Sequence, residues 1–167
     1  NEFVRVNEEG FKPTSINNSL DTTLLILNSQ LSAEINLSKD YTDLPLVHCN
    51  PRDLNQVLMS ILLNAIEALD ASEVSQKNIH LTTSLLSEGW VRISISDTGP
   101  GITPEHQLKI FEPFFTTKTI GKGMGMGLAL CNQTIQQHKG QLSCTSIPGV
   151  KTTFHIDLPV NNEQTPG

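Results

Sequence analysis

Charge is scarce in this chain and nowhere concentrated. Only 17% of its 167 residues are Asp, Glu, Lys or Arg, the net charge is −6, the isoelectric point is about 5.3, and no basic block occurs. Such a surface does not attract polyanions, which argues against nucleic acid and anionic membrane as partners. Paired cysteines are missing too. Cys49, Cys131 and Cys144 are odd in number and lack C-x-x-C spacing, so neither a disulfide framework nor a zinc site is indicated, and a reducing, cytoplasmic setting is expected. No apolar run approaches the roughly 18 residues of a membrane span, and no signal peptide is visible. A membrane anchor, if the full protein has one, is expected outside this stretch. What is present is enough chain for one domain with a real core, because at this size about two-thirds of the unfolded surface can be buried.

One stretch stands out against that background, residues 97–128, DTGPGITPEHQLKIFEPFFTTKTIGKGMGMGL. It opens with an acidic residue in a Gly-Pro-Gly turn, passes a Phe-rich segment and closes in Gly121, Gly123, Gly125 and Gly127 at every second position. About 30 residues without clear periodicity are unusual in a compact domain unless they form a lid or are disordered. Chemistry at both ends favours a lid. Glycine lets backbone N–H groups come close to an anion, and the helix expected from Leu128 onward adds about half a positive charge at its N-terminus. Phosphate is the natural guest. A flexible linker is the alternative, disfavoured because linkers prefer Ser to the Met and Lys found here. Spacing removes the two common phosphate fingerprints: G-x-G-x-x-G fails at Met126 and Leu128, and no G-x-x-x-x-G-K-[ST] occurs.

The rest of the chain supplies a scaffold. Residues 1–10 read as a linker or short strand. Leu20, Leu24, Leu27 and Leu31 recur at helical spacing after Ile16 and predict a helix to near Ser32. Ile35 and Leu37 mark a short strand and residues 44–49 another, with Tyr41-Thr42-Asp43 as the turn between. Asn50 as cap, Pro51 at the first position and Asp53 in the first turn start a second helix. Leu54, Val57, Leu58, Ile61, Leu62, Ala65 and Leu69 share its core face. Ser60, Asn64 and Glu67 form a polar stripe on another side, with Asn64 at the rim of the apolar sector, either looking into a cleft or simply solvated.

Residues 78–86 and 90–96 alternate as two strands around a Ser87-Glu88-Gly89 turn. Val91, Ile93 and Ile95 point one way, and Asp97 is next in that phase. A carboxylate in core register is costly unless hydrogen bonds answer it, so Asp97 has a committed partner, or else merely starts a tight turn. Residues 128–139 read as a third helix with Leu128, Cys131 and Ile135 inward and Gly140 as its stop. Leu142 and Cys144 alternate in the next strand. In the last strand Thr152, Phe154, Ile156 and Leu158 share the inward phase, which makes Thr152 a second polar group in core register. Residues 161–167 read as a frayed tail.

Taken in order, the Asn-bearing helix (LMSILLNAIEAL), the Asp-Gly-Gly turn (DTGPGI), the Phe-rich segment (FEPFFTTK), the alternating-Gly loop (GKGMGMGLAL) and the terminal Thr strand (KTTFHIDLP) carry a family resemblance. The chain resembles the ATP-binding catalytic domain of bacterial sensor histidine kinases, whose fold is shared with DNA gyrase, mismatch-repair ATPases and heat-shock chaperones. FEPFFTTK and NAIEAL lean toward nitrogen-regulation and sporulation-type sensors. The resemblance covers about residues 11–160, leaving 1–10 as a linker from a dimerisation and phosphoacceptor region. It implies an α+β fold, an α/β sandwich with a mixed, mostly antiparallel sheet of about five strands, three helices on one face and a long ATP lid.

The resemblance also implies a role for each site residue. Asp97 would accept a hydrogen bond from the exocyclic amine of adenine and so select ATP over GTP. Gly99 and Gly101 would let the base sit against the turn, next to Ile102, and Thr152, rather than the outward Thr153, would support Asp97 and the base. Asn64 would be the Mg²⁺ ligand through its side-chain oxygen, the rest of an octahedral shell coming from phosphates and water. Lys118 and Lys122 would neutralise phosphate charge, Lys122 as a catalytic group, while Gly123, Gly125, Gly127 and Leu128 offer backbone N–H groups. Phe111, Phe114 and Phe115 would anchor the lid, ordinary core packing being the alternative for each.

Two positions depart from the family. Many relatives carry a second Asn where this chain has Ser60, and the ATP-hydrolysing branch carries there a Glu that activates water. A hydroxyl can still hold a water on the metal, but it cannot replace that Glu, which speaks against a gyrase-like ATPase. Lys151 replaces the usual Gly before the Thr strand. The implied activity is transfer of the γ-phosphate of Mg-ATP to a histidine of a separate dimerisation domain, with a response regulator downstream. None of His48, His80, His106, His138 and His155 has the phosphoacceptor pattern, and His48 and His155 read as structural. The full protein is expected to be a homodimer and this domain alone a monomer. The alternatives are a nucleotide-binding regulatory module without phosphotransfer and a serine-directed kinase on the same fold.

Overall fold

The computed structural model describes residues 9–87, 89–113 and 127–161. Strand β1 (Lys12–Thr14) leads into helix α1 (Ile16–Leu27), which Ser15 caps by accepting the Asn18 N–H. A single 3₁₀ turn, Asn28–Gln30, closes α1 short of Ser32. Strands β2 (Ile35–Asp40) and β3 (Val47–Cys49) precede the long helix α2 (Pro51–Asp70). Its start follows from sequence: Asn50 Oδ1 accepts the N–H groups of Arg52 and Asp53, with Pro51 first in the helix, where no N–H is needed. Strands β4 (Lys77–Leu86) and β5 (Trp90–Asp97), the one-turn helix α3 (Pro104–Gln107), helix α4 (Leu128–Gln137) and strands β6 (Gln141–Ile147) and β7 (Lys151–Pro159) complete the order.

Five strands form one sheet in the order β2-β4-β5-β7-β6, with β2–β4 parallel and the other pairs antiparallel. The strands obey period-two alternation, and β5 is the cleanest case: Val91, Ile93, Ile95 and Asp97 are buried in turn, with half-buried residues between. Their face packs under α1, α2 and α4. Leu20, Leu54, Leu58, Ile61, Leu62, Leu69, Ile79, Leu81, Ile93 and Ile156 lie within about 1% of full burial and form the shared core. The opposite face is polar. Ser94, Ser96, Thr153, His155 and the Arg92–Asp157 pair lie there, as expected of an antiparallel sheet covered on one side. This is the mixed two-layer architecture that the motif order implied, with the single turn of α3 added to the three longer helices.

Four local expectations need correction. The strand expected over residues 44–49 contracts to Val47–Cys49 and stays out of the main sheet, because it pairs with β1. The stretch after Asp97 is not without secondary structure: Thr103 caps α3 by accepting the His106 N–H, with Pro104 first in the turn. Gly140 is not the left-handed stop of α4. Lys139 takes that place at φ 60°, and the Lys139 and Gly140 N–H groups close on the Gln136 and Ile135 carbonyls at 2.9 Å each. Gly140 is needed one residue later because a Cβ there would stand 2.3 Å from the Asp157 carbonyl oxygen. Ser60, finally, leaves the expected polar stripe. It is buried in the α2–α4 contact, beside the Cys131 thiol.

His48 and His155 are structural, as expected of histidines in strands. His48 tilts against the Phe11 ring, and His155 shares a 2.8 Å hydrogen bond with Ser94. Burial, followed by the positive Arg92, holds the His155 imidazole below its ordinary range, with Asp157 opposing. His138 at the end of α4 is buried and joins three elements. Its Nδ1–H donates to the Thr134 carbonyl at 2.9 Å, its Nε2 accepts the Asn50 N–H at 3.1 Å, and Phe11 stacks on the ring at 4.5 Å.

Candidate functional site

Asp97 ends β5 on the helix-covered face with 5% of its surface exposed. Its Oδ1 accepts the Gly99 N–H at 2.9 Å, and it enters no ion pair among the described residues. Burial pushes the carboxyl up to about 6, and the Gly99 hydrogen bond only partly opposes this. Thr152 of β7 is directly opposite Asp97 in the strand register and is equally buried, so the two polar groups in core register meet. Cys144 of β6 joins them, a thiol not singled out from sequence: burial and then the Asp97 charge push it up to about 12.

The turn after Asp97 is held on three sides. Thr98 exchanges hydrogen bonds with Asn78 at the edge of β4 and reaches the Gln76 carbonyl at 2.6 Å. A Cβ on Gly99 would come within 2.9 Å of Asp97 Oδ1 and 3.5 Å of the Ala68 Cβ, so the turn lies directly against α2. Gly101 has φ 79° and would drive a Cβ to 2.7 Å from the Ile147 carbonyl. Both its backbone and its surroundings demand glycine. On the third side the Ile102 N–H donates to Ser146 Oγ at 2.7 Å, and the Gly149 N–H donates to the Pro100 carbonyl at 2.6 Å. Gln107 of α3 clamps the arrangement, its amide donating to the Ile102 carbonyl at 2.7 Å and the Ser146 carbonyl at 3.3 Å.

Asn64 lies half-buried on α2, one turn before Ala68 and hence on the same side of the helix as the Gly99 contact. Its amide oxygen is a hard neutral donor of the kind Mg²⁺ accepts, so residue type and placement fit that ion. Gly127 precedes α4 without a side-chain cap, and a Cβ there would meet no atom of the described residues within 4 Å. The described residues thus set no demand for glycine at this position, and Leu128 follows as the first helical residue. Phe111 packs edge-on against Phe154 of β7, with centroids 6.5 Å apart. The positions assigned to Phe114, Phe115, Lys118, Lys122, Gly123 and Gly125 lie outside the described residues.

The structure therefore brings Asp97, Gly99, Gly101, Ile102 and Thr152 to one end of the sheet, with Asn64 on the facing helix. Ser146, Gln107 and Cys144 complete the floor and carry no local motif. Ser146 and Cys144 become visible only when β6 pairs with β7, and Gln107 only when α3 reaches Ser146. A one-sided sheet with a carboxylate at its helix-covered end, an amide on the helix above and a capless glycine at the next helix start is the build of an ATPase-type domain. A family model described as histidine kinase-, DNA gyrase B-, and HSP90-like ATPase matches residues 49–162. The chain belongs to that family.

The signal transduction histidine-protein kinase AtoS of Escherichia coli (strain K12) is 35% identical over 162 residues, which is 96% of this chain and 26% of that protein. Sporulation kinase E of Bacillus subtilis (strain 168) is 36% identical over 140 residues, 83% of this chain and 18% of that protein. Among solved structures, the catalytic domain of the histidine kinase ThkA matches with a TM-score of 0.78 at 26% identity, covering 91% of this chain and 97% of that one. The chain spans about a quarter of the length of AtoS and less of sporulation kinase E.

Proposed function

We propose that this domain binds Mg-ATP between α2 and the turn after Asp97 and passes the γ-phosphate to a histidine on a dimerisation segment of the same protein, in two-component signalling with a response regulator downstream. The observation that carries the reading is Asp97, a buried carboxylate with one backbone donor and no cation among the described residues. It supplies an acceptor for the adenine amine, and guanine, with a carbonyl at that place, would leave it unpaired. Thr152 supports the base from the neighbouring strand. Asn64 would hold Mg²⁺, which when bound neutralises phosphate charge. Lys118, Lys122, Gly123, Gly125 and Gly127 would hold the phosphates, and Leu128 would add the N-terminus of α4.

Ser60 supports transfer over hydrolysis. It is a hydroxyl buried in the helix contact, so no general base stands where the hydrolysing branch places Glu. The family's kinases further suggest a homodimer for the whole protein, with this domain a monomer by itself.

Calorimetric titration with Mg-ADP, Mg-ATP and Mg-GTP tests the site. Adenine nucleotides should bind at micromolar to sub-millimolar affinity, about −4 to −8 kcal/mol, and GTP should not. Radiolabelled ATP, this domain and the purified dimerisation segment then test the destination of the phosphate. Acid-labile label on the segment is the expected outcome, and an unlabelled segment despite tight ATP binding would leave a regulatory module.

A further inference from the structure

Ser146 stands half-buried near the end of β6, between the Asp97 turn and the Thr152 strand. Its Oγ accepts the Ile102 N–H at 2.7 Å, donates to the Lys151 carbonyl at 3.0 Å and meets Thr152 Oγ1 at 3.1 Å. A serine hydroxyl has one proton and two lone pairs. The proton goes to the Lys151 carbonyl, which can only accept, and one lone pair goes to Ile102. Only a lone pair is left for Thr152, so in this contact the Thr152 hydroxyl is the donor. Its proton is then committed, and it turns lone pairs alone toward Asp97, its partner across β5 and β7.

We propose that Ser146 is a positioning residue for base selection: by holding the Thr152 proton it keeps the Thr152 hydroxyl an acceptor beside Asp97. Two acceptors side by side favour a purine with an amino group at the 6-position and repel one with a carbonyl there. Without Ser146 the Thr152 hydroxyl could rotate and donate to that carbonyl, which partly rescues the wrong base. The inference rests on reading this cleft as an adenine-nucleotide site and adds a second determinant to Asp97.

Equilibrium binding of ATP and inosine triphosphate to wild type, Ser146→Ala, Ser146→Thr and the double variant Ser146→Ala/Thr152→Val tests it. Ser146→Ala should weaken ATP by about threefold to tenfold and lower the ATP-over-inosine-triphosphate preference by about tenfold, the range of one side-chain hydrogen bond. Ser146→Thr should restore the preference. In the double variant inosine triphosphate should lose whatever it gained, because no hydroxyl remains to donate. A merely structural role weakens both nucleotides alike, so an unchanged preference in Ser146→Ala, with wild type binding ATP, overturns this proposal alone. Failure of wild type to bind either nucleotide overturns the adenine-site reading and this proposal with it.

Discussion

Asp97 and Asp157 are buried carboxylates on neighbouring strands, one on each face of the same sheet. Asp157, on the open face, is gripped by Arg92 through two hydrogen bonds of 2.7 and 2.9 Å. Such a bidentate pair answers both oxygens and the charge together. Asp97, on the helix-covered face, has the Gly99 N–H and no ion pair among the described residues. One carboxylate is a finished joint and the other an open demand. Burial alone therefore does not mark a functional carboxylate; what distinguishes it is the missing answer to its charge.

Asp97→Asn should break the comparison most sharply. It replaces the acceptor by an amide that can turn its NH₂ toward the adenine amine, and adenine-nucleotide affinity should fall about a hundredfold or more by calorimetry. The same change should stabilise the fold. In wild type, Asp97 is protonated in both states below about pH 3, and stability then falls as pH rises toward 6, because the unfolded carboxyl (3.8) ionises before the folded one (about 6). Above that window ionised Asp97 costs roughly 3 kcal/mol, from about two pKa units at about 1.4 kcal/mol each. Denaturant melts of the variant should exceed wild type by up to that amount at pH 7 and converge with it below about pH 3. A variant that melts lower than wild type at pH 7 would refute the open-demand reading.

Asp157→Asn should do the reverse. It strips Arg92 of its charge partner, and the expected loss is about 1 kcal/mol, modest because the Arg92 side chain is 36% exposed. Nucleotide affinity should not change. The threonines give the smallest and most local contrast. Thr152→Val should weaken ATP binding by a few-fold, whereas Thr153→Val, which only loses its contact with Ser96 on the other face, should leave binding as it was. Equal effects from the two would erase the distinction between the faces.

The placement of Asp97 and Thr152 was legible because β5 alternates strictly and the apolar residues of β7 recur at every second position, so one phase brings both inward. The start of α2 was legible for a similar reason, since Asn50 and Pro51 act on their own backbone. The rest depended on partners distant in sequence. Nothing around residue 146 reveals that its hydroxyl will sit beneath Ile102, because that contact exists only once the β6–β7 hairpin folds against the Asp97 turn. Ser60 misled in the same way: its polar character suggested solvent, and the surface that buries it comes from another helix. Lys139 took the left-handed position instead of Gly140 because the close approach of Asp157 claimed the glycine first.

The clasp at His138 also has a mechanical side. Helix α4 begins at Leu128, next to the last residue of the glycine run, and ends at an imidazole that carries Phe11 on its face and is bonded to the first backbone N–H before α2. It is a lever whose far end is clasped between Phe11, just before β1, and Asn50, just before α2. The ten residues of α4 thus span about 15 Å between that clasp and Gly127.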